Sequence, residues 1–490
     1  MQIDFIAILP EIVLTVTALI VLAADLALRG DAKQFVNPIA ALGTIGAIAA
    51  TVPLWGEERV TFGTMFVVDD FAVLFKLLFL ATLLAVLGIS WRYAAENRMF
   101  QGEYYFLLLT AFIGMLLMPS SRDLVMLFIA LETVSVPAFV MVGMRKRDLY
   151  SSESALKFFL IGVLSAALML FGMSMVYGFT GTTDLVGIAA EIASGDTASV
   201  PLLLGSVMLV LVGFGFKISA VPFHFWAPDT YAGAPMPVAA MLAVASKAAG
   251  FAGLVVVAFI AFEPLADVWG PVLGVLAVVT MTVGNLIALQ QRDLIRLLAY
   301  SSVAQAGYIL VPFGLARTGA EVINAAAVEA VLFYLIAYAV MNIGAFGVAI
   351  AVERRTGLRS IAEYAGLSGR SPLLALGLTV FLLSLGGAPA TVGLWAKFAI
   401  IEAIAVDITL FGVVLASFLV FNTVIAFFYY LRVIRTMWMD AAPEGLPRLQ
   451  PGFNLSAVVV VLMVGTLLLG LLPGLVTDFS SMVSLVAAGG

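Results

Sequence analysis

Apolar runs of about 20 residues recur along the whole length of this 490-residue sequence. Each run can cross a hydrocarbon core of about 30 Å as a helix, because a helix rises 1.5 Å per residue and satisfies its own backbone hydrogen bonds. The runs predict fourteen spans, at residues 5–28, 36–55, 68–91, 103–119, 122–143, 154–179, 200–221, 234–260, 270–290, 294–313, 323–351, 372–404, 408–437 and 455–477. The polar interruption at 180–199 is predicted to be a loop. The predicted fold class is an all-α, multi-pass membrane protein.

The composition restricts the chemistry that this chain can perform. Apolar residues make up 63% and charged residues 11%, whereas soluble domains carry about 25% charged residues. A net charge of −6 argues against a nucleic-acid surface. Without cysteine, the chain can hold no disulfide and no thiolate-bound iron–sulfur cluster, and His224 alone would have to serve a haem or zinc ion. We therefore expect no cofactor or metal on this chain. The first run lacks a basic flank and a cleavage motif, which favours a retained helix.

Lysine and arginine residues are distributed unevenly among the links between spans. Three lie in links after even-numbered spans: Arg59, Arg122 and Arg317. Sixteen of the 24 lie in links after odd-numbered spans: Arg29, Lys33, Arg92, Arg98, Arg145, Lys146, Arg147, Arg292, Arg296, Arg354, Arg355, Arg359, Arg370, Arg432, Arg435 and Arg448. Because cytoplasmic links carry an excess of positive charge, the odd links are predicted to be cytoplasmic. Both termini are then expected on the periplasmic side of a bacterial inner membrane.

Glycine and proline interrupt two predicted spans beside a lysine. Pro222 follows Lys217 in the seventh span, and Pro389 precedes Lys397 in the twelfth. Broken helices in corresponding positions are typical of inverted repeats with an ion site near the midplane. The breaks lie five spans apart, which predicts two inverted five-helix units within one transmembrane domain. Its predicted parts are three helices in 1–100, the repeats 103–260 and 270–437, and a last helix at 455–477. The alternative is that glycine and proline are simply commoner in membrane helices.

Four charged residues lie deep within apolar spans: Glu132, Lys217, Lys247 and Lys397. Each lysine costs about 3 kcal/mol to insert at the bilayer centre, so these groups are expected to face a polar interior. A buried lysine near a carboxylate can gain or lose its proton as their contact is made or broken, as a proton relay requires. The alternative for each is a static ion pair or a side chain that extends to the interface.

Further polar residues have two open interpretations. Lys76 and Lys157 lie near the ends of their spans, where a static ion pair is as reasonable as a relay. His224, just past Pro222, is either a relay member near neutral pH or a neutral hydrogen-bond donor. Glu11 is given no role. The tenth span carries a polar stripe that either holds water or bonds a neighbouring helix: Tyr300, Ser301, Ser302, Gln305 and Tyr308.

Two stretches closely resemble one family. Residues 223–240 (FHFWAPDTYAGAPMPVAA) and 245–251 (ASKAAGF) resemble the N-type antiporter-like subunit of bacterial respiratory complex I, an NADH:quinone oxidoreductase. Residues 155–162 and 296–302 and the opening Pro10-Glu11 support the resemblance, which covers essentially the whole chain. Two positions depart from the family pattern: the twelfth-span motif at 388–395 is altered, and Gln305 replaces a histidine carried by many relatives.

The resemblance implies a fourteen-helix fold with inverted repeats and a proton-translocating role. Glu132 and Lys217 would form the coupling ion pair, and Lys247 the central relay with His224 beside it. Lys397 would serve the second half-channel. The secondary relay candidates are Lys157, Tyr300 and Ser301.

The resemblance also implies an enzyme subunit with no redox centre of its own. NADH, FMN, iron–sulfur clusters and quinone (such as ubiquinone) would lie on partner subunits. The implied partners are the M-type subunit, small membrane subunits, the lateral helix of the L-type subunit and the lipid bilayer, with no nucleic acid. Two alternatives remain open: a subunit of an Mrp-type cation/proton antiporter and a non-pumping membrane scaffold. The loop after His224 favours complex I.

Overall fold

A computed structural model describes residues 3–96, 101–145, 147–195, 201–357, 359–442, 449 and 451–481. Arg98, Lys146 and Arg448, which contribute to the predicted orientation, lie outside the described residues, as does the side chain of Arg355. The N-terminal part contains three helices: α1 (Leu9–Ala27), α2 (Val36–Thr51) and α3 (Asp70–Glu96). A short antiparallel hairpin precedes α3 and consists of β1 (Arg59–Thr61) and β2 (Phe66–Val68).

The next part of the chain corresponds to the first predicted repeat. Its helices are α4 (Gln101–Ser120), α5 (Leu124–Val142), α6 (Leu149–Thr180), α7 (Leu185–Ala193), α8 (Pro201–Lys217), α9 (Trp226–Gly233), α10 (Met236–Met241) and α11 (Lys247–Val256). Two π-helical turns flank α11, at Leu242–Ser246 and Val257–Ala261. These turns let one helix continue from Met236 to Ala261 with a local widening just before Lys247.

The remaining helices cover the second predicted repeat and the C-terminal part. They are α12 (Ala266–Ala288), α13 (Leu294–Leu310), α14 (Glu321–Thr356), α15 (Leu367–Arg370), α16 (Pro372–Gly386), α17 (Val392–Val406), α18 (Leu410–Met439), α19 (Phe453–Leu471) and α20 (Gly474–Ser481). Short 3-10 turns connect several of them: Gly30–Phe35, Val52–Leu54, Glu263–Leu265, Pro312–Leu315 and Ile361–Tyr364.

The helices confirm the predicted all-α, multi-pass membrane fold. Within the described residues, twelve helices are long and apolar enough to cross a membrane, and α8 and α16 are shorter apolar helices. The exact number of fourteen spans stays a prediction. The predicted loop at 180–199 is wrong in its middle, because α7 forms there. Leu185, Ile188 and Ile192 are buried at helical spacing, and Asp184 accepts a hydrogen bond from the Gly187 backbone N–H at 2.8 Å.

The polar interior lies around the continuous helix 236–261, α13 and α14. These helices are buried along most of their length, whereas α6, α18 and α19 present mainly apolar side chains to the outside. Lipid-facing helices need no polar partners on their outer side, so buried charged groups such as Lys247 are accommodated on the inner faces.

Both predicted helix breaks are confirmed. The helix α8 ends at Lys217, and Pro222 lies in the non-helical segment before α9. The helix α16 ends at Gly386, followed by Gly387 in the left-handed region at φ +90°. Pro389 lies in that gap, and α17 begins at Val392. Each gap contains a proline, which donates no backbone hydrogen bond and so weakens the helical ladder at that point.

One loop arrangement occurs twice in the chain. Before α5, the Leu124 N–H donates to the Thr183 carbonyl at 2.9 Å, and the Leu185 N–H donates to the Arg122 carbonyl at 3.0 Å. Before α13, the Leu294 N–H donates to the Arg359 carbonyl at 3.0 Å, and the Ile361 N–H donates to the Arg292 carbonyl at 2.8 Å. An aspartate caps the helix in each case: Asp123 for α5 and Asp293 for α13.

Candidate functional site

Lys217 lies at the last residue of α8 and points into the protein. It is 3% exposed, and its Nζ donates a hydrogen bond to the Ser135 Oγ on α5 at 2.9 Å. The Ser135 hydroxyl donates in turn to the Leu131 carbonyl at 2.8 Å. A Cβ at Gly250 would lie 3.0 Å from the Lys217 Cγ, so this glycine allows α11 to pack against the lysine stem. The ammonium is therefore held by a neutral hydroxyl.

Glu132 is half-buried on α5, three residues before Ser135. Its charge and that of Lys217 act on each other electrostatically. However, no ion pair within 4 Å joins their side chains in the part of the chain that the structure describes. The direct ion pair implied by the resemblance is thus not made in this structure, in which Ser135 binds the ammonium instead.

Lys247 is fully buried at the start of α11, directly after the π turn Leu242–Ser246. Its Nζ donates to the Ser302 carbonyl at 2.6 Å and to the Ser302 Oγ at 2.5 Å. Ser302 lies on α13, so this contact connects the two predicted repeats. A π turn shifts the following side chains around the helix axis and is frequent at functional sites.

Lys397 on α17 is held by the broken end of α16. Its Nζ donates to the Gly386 carbonyl at 2.7 Å and to the Leu385 carbonyl at 3.3 Å. The last carbonyls of a helix have no partner within the helix and carry partial negative charge, which suits an ammonium group. The Nζ also lies 5.0 Å from the centroid of the Tyr308 ring. The break at Gly386 thus creates the acceptors for the lysine.

Hydroxyl and amide groups lie between Ser302 and Lys397. The Ser301 Oγ and the Tyr430 OH are 2.5 Å apart. The Gln305 Nε2 donates to the Leu385 carbonyl at 3.1 Å and to the Tyr430 OH at 3.4 Å. Tyr334 OH donates to the Gln305 Oε1 at 2.5 Å. The polar stripe of α13 therefore bonds neighbouring helices, which was one of its two sequence-based interpretations.

Three other sequence-predicted candidates lie away from these contacts. His224 is buried beside α9, and its Nδ1 has no hydrogen-bond partner among the described atoms. Lys157 is exposed at the chain surface and forms ion pairs with Glu153 at 2.7 Å and Asp229 at 3.0 Å. For Tyr300, the described residues provide no hydrogen bond to a buried lysine. None of these three connects the lysines to each other in this structure.

Several groups that bind the buried charges, or the polar residues near them, were not predicted from the sequence. Ser135 could have been identified, because it lies one helical turn after Glu132 on the same face. Tyr334 and Tyr430 give no such signal in the sequence. Glu11 was given no role, but its carboxylate forms a buried ion pair with the Lys76 Nζ at 2.8 Å. Lys76 therefore forms an ion pair, which was one of its two sequence-based interpretations.

The described residues contain no group of three or more His, Cys, Asp or Glu side chains that could hold a metal ion. The whole chain has no cysteine and one histidine, so the thiolate ligands of an iron–sulfur cluster cannot come from it. The charged groups of the site are the amines of Lys217, Lys247 and Lys397 and the carboxylate of Glu132, and amines and carboxylates can bind and release protons.

Known proteins match most of the chain. Residues 121–425 match the family described as NADH:quinone oxidoreductase/Mrp antiporter, TM. The chain is 43% identical over 459 residues to NADH-quinone oxidoreductase subunit N 2 of Streptomyces griseus, covering 91% of this chain and 84% of that protein. It is 37% identical over 479 residues to NADH-quinone oxidoreductase subunit N of Trichlorobacter lovleyi, covering 96% and 95%.

Solved structures show the same fold. A chain of respiratory complex I from Thermus thermophilus aligns with a TM-score of 0.78 at 32% identity, covering 98% of this chain and 100% of that chain. A chain of the Mrp complex from Dietzia aligns with a TM-score of 0.81 at 22% identity, covering 96% of each chain, which shows the fold alone. The chain belongs to the NADH:quinone oxidoreductase/Mrp antiporter family, and within it to the subunit N group of NADH-quinone oxidoreductases.

Proposed function

We propose that this chain transfers protons across the membrane as an antiporter-like subunit of an NADH:quinone oxidoreductase. The observation that carries the proposal is that the three deepest lysines have neutral partners. Among the described residues, no carboxylate lies within 4 Å of the Nζ of Lys217, Lys247 or Lys397, and hydroxyl or carbonyl oxygens accept their hydrogen bonds instead. An amine among neutral oxygens can lose its proton without leaving a buried counter-charge behind.

Lys76 provides a contrast within the same chain. Its ammonium is fully buried but faces the Glu11 carboxylate at 2.8 Å. Removing a proton from Lys76 would leave an unpaired buried carboxylate, which is strongly unfavourable. The neutral surroundings of the three other lysines are therefore not a general consequence of burial, and they suit groups that change their protonation state.

The proposed path uses Glu132 and Lys217 as the coupling pair. Lys247 is the central relay, and Lys397 serves the second half-channel. Moving one charge against a potential of 100 mV costs about 2.3 kcal/mol. The free-energy change on making or breaking one contact between a carboxylate and a lysine is large enough to supply that amount. Ser135 holds Lys217 while that contact is open. His224 is retained in the proposal as a group beside the path, and Lys157, Tyr300 and Ser301 as secondary members.

The proposed repeats are residues 103–260 and 270–437, in inverted orientation, between the helices of 1–100 and the last helix at 455–477. The loop arrangement that occurs before both α5 and α13 supports this division, since each copy pairs the same two places in a five-helix unit. The two helix breaks, after Lys217 and after Gly386, support it as well.

The proposed setting is a bacterial inner membrane, with both termini in the periplasm. The Arg145 side chain, after α5, contacts Glu353 at the end of α14 at 3.5 Å, and Arg359 contacts the same carboxylate at 2.5 Å. This cluster supports the placing of both positively charged links on one side.

The proposed partners are the M-type subunit, small membrane subunits, the lateral helix of the L-type subunit and lipid, with NADH, FMN, iron–sulfur clusters and quinone on partner chains.

Substitution of the coupling pair tests the proposal. Lys217→Ala and Glu132→Ala are expected to lower both proton pumping and quinone reduction without preventing assembly, because each removes half of the pair. Assembled complexes with normal turnover and a normal proton-to-electron ratio would refute the coupling role. A non-pumping scaffold predicts that outcome. An Mrp-type antiporter predicts instead that flavin and iron do not co-purify with this chain.

A further inference from the structure

Asp229 is a carboxylate that the proposed proton path does not use, although it lies within the stretch 223–240 that resembles the family. It belongs to α9, the short helix that follows the break after Lys217. Each of its two oxygens binds a different cation. The Lys157 Nζ on α6 lies 3.0 Å from the Oδ2 atom, and the Arg296 Nη1 on α13 lies 2.9 Å from the Oδ1 atom. One side chain of α9 therefore joins a helix of each proposed repeat.

The main chain of α9 also packs closely against α6. The Ser154 hydroxyl donates to the Asp229 backbone carbonyl at 2.9 Å. A Cβ at Gly233 would lie 2.1 Å from the same hydroxyl oxygen, so a larger residue there would clash. The Arg296 guanidinium donates in addition to the Tyr150 OH of α6 at 3.3 Å. The Asp229 carboxylate is thus part of a network of charged and polar groups between α6 and α13, not of one isolated ion pair.

The first residue of α9 contacts the end of α8. The Trp226 indole N–H donates to the Phe216 carbonyl at 3.1 Å, and Phe216 directly precedes Lys217. The Trp226 ring also stacks on the Phe158 ring of α6, with centroids 4.6 Å apart. Trp226 and Asp229 lie within one turn of the same helix. A shift of α9 therefore displaces the end of α8 that presents Lys217.

The helix on the other side of Asp229 binds the next lysine of the proposed path. In α13, Ser302 lies six residues after Arg296, or about 9 Å along the helix axis. The Ser302 hydroxyl accepts the hydrogen bond of the Lys247 Nζ. Asp229 therefore connects the helix that binds Lys247 to the short helix that contacts the end of α8.

We infer that Asp229 is a positioning residue that fixes α9 between α6 and α13 and thereby sets the placement of Lys217 relative to Lys247. The inference rests on the proposed function, and it does not put Asp229 on the proton path. Both carboxylate oxygens are used, because a different oxygen faces each cation. Hydrogen bonds between ionised groups are shorter and stronger than neutral ones, which suits a group that holds two helices in register.

The test removes both acceptor oxygens at once. Asp229→Leu has a similar shape and accepts no hydrogen bond, whereas Asp229→Glu restores two acceptors on a longer stem. Glu153→Leu is the matched control. The Glu153 carboxylate also pairs with Lys157, at 2.7 Å, but it lies on α6 itself and forms this pair within one helix.

Assembled complexes of each variant are placed in sealed liposomes. Proton pumping and quinone reduction are measured per assembled complex, together with amide hydrogen exchange in the segment 222–236. Asp229→Leu is expected to exchange faster in this segment and to lose pumping and quinone reduction. Asp229→Glu should recover both activities, and Glu153→Leu should match the unsubstituted protein. A merely structural role would lower the yield or thermal stability of the complex and leave the activity per assembled complex unchanged.

Arg296→Gln decides the test if Asp229→Leu does not assemble. It leaves Asp229 with Lys157 but removes the charged contact with α13, so the same losses are expected. Lys157→Met keeps the contact with α13 and is therefore expected to be the milder change.

Four results would overturn the inference. The first is an assembled Asp229→Leu complex that behaves like Glu153→Leu, and the second is an assembled Arg296→Gln complex with normal pumping. The third is an Asp229→Glu complex as inactive as Asp229→Leu. The fourth is loss of pumping in Asp229→Leu without faster exchange in 222–236, because the carboxylate would then act on the proton path itself.

Failure of the proposed function is recognised separately, since Lys217→Ala and Lys247→Ala would then leave pumping intact. Loss of pumping in those two variants together with normal pumping in Asp229→Leu refutes the inference alone.

Discussion

The ammonium of Lys217 is bound by the hydroxyl of Ser135 at 2.9 Å, although Glu132 lies one turn away on the same helix. Ser135→Ala removes this neutral acceptor and leaves a buried donor unsatisfied, at a cost of about 1–3 kcal/mol. We expect Lys217 to turn towards Glu132, and proton pumping and quinone reduction to fall in assembled complexes.

The matched control is Ser206→Ala. Ser206 lies on α8, and its hydroxyl donates to the Leu202 carbonyl of its own helix at 2.7 Å. Turnover and the proton-to-electron ratio measured in both variants decide the prediction. If Ser135→Ala and Ser206→Ala behave alike, Ser135 does not hold Lys217 in a functional position.

Gly387 is expected to be needed for the placement of Lys397. Its φ is +90°, and a Cβ there would lie 3.3 Å from the Lys397 Nζ. Gly387→Ala should therefore strain the backbone by about 1–2 kcal/mol and also displace the lysine from the α16 carbonyls. Gly319→Ala is the control, because Gly319 has φ +70° with nothing within 4 Å of a Cβ. Pumping should fall in the first variant only, and equal pumping in both would contradict the role of the α16 break.

The ion pair between Glu11 and Lys76 should govern stability rather than transport. Lys76→Met leaves the Glu11 carboxylate buried without its partner, and such a loss typically destabilises a protein by about 3–5 kcal/mol. The double variant Glu11→Gln/Lys76→Met should recover most of that loss, because no charge remains buried. Thermal unfolding of the purified complex in detergent measures both. A single variant as stable as the unsubstituted protein would show that the pair is unimportant.

Lys157 and Lys247 should differ sharply on substitution. Lys157 is exposed and paired with Glu153 and Asp229, and exposed pairs contribute about 0–1 kcal/mol each. Lys157→Met should therefore keep most of the proton pumping, whereas Lys247→Met should lose it. Pumping assays in vesicles with equal amounts of assembled complex make the comparison. Loss in both variants would show that Lys157 is an essential member of the proton path and not a secondary one.

The burial of the three central lysines was predictable from sequence, because a charge within a long apolar run must face a polar interior. The helix breaks were predictable as well, since glycine and proline interrupt the apolar spans that contain Lys217 and Lys397. The oxygen atoms that accept hydrogen bonds from these lysines were not predictable from the sequence. Ser135 is 82 residues from Lys217 along the chain, and Ser302 is 55 residues from Lys247. Contacts over such separations depend on helix packing, which local patterns do not encode.

The helix α7 was not predicted, for a different reason. Its residues have helical spacing of apolar side chains, but the segment is too short to span a bilayer, so hydropathy alone gave a loop. Glu11 was likewise undervalued, because a carboxylate near a helix start has a ready explanation at the headgroup level. Its ion pair with Lys76 joins residues that are far apart in the sequence, which a local pattern does not indicate.

The two oxygens that receive Lys397 belong to the main chain of α16. No amino-acid replacement at Leu385 or Gly386 deletes a peptide carbonyl, so these acceptors persist through almost any change of side chain there. Mutation can alter them only by re-forming the helix or by shifting its end. Related chains could therefore vary the residues around this lysine widely and still offer it the same pair of oxygens, provided that the interruption after α16 survives.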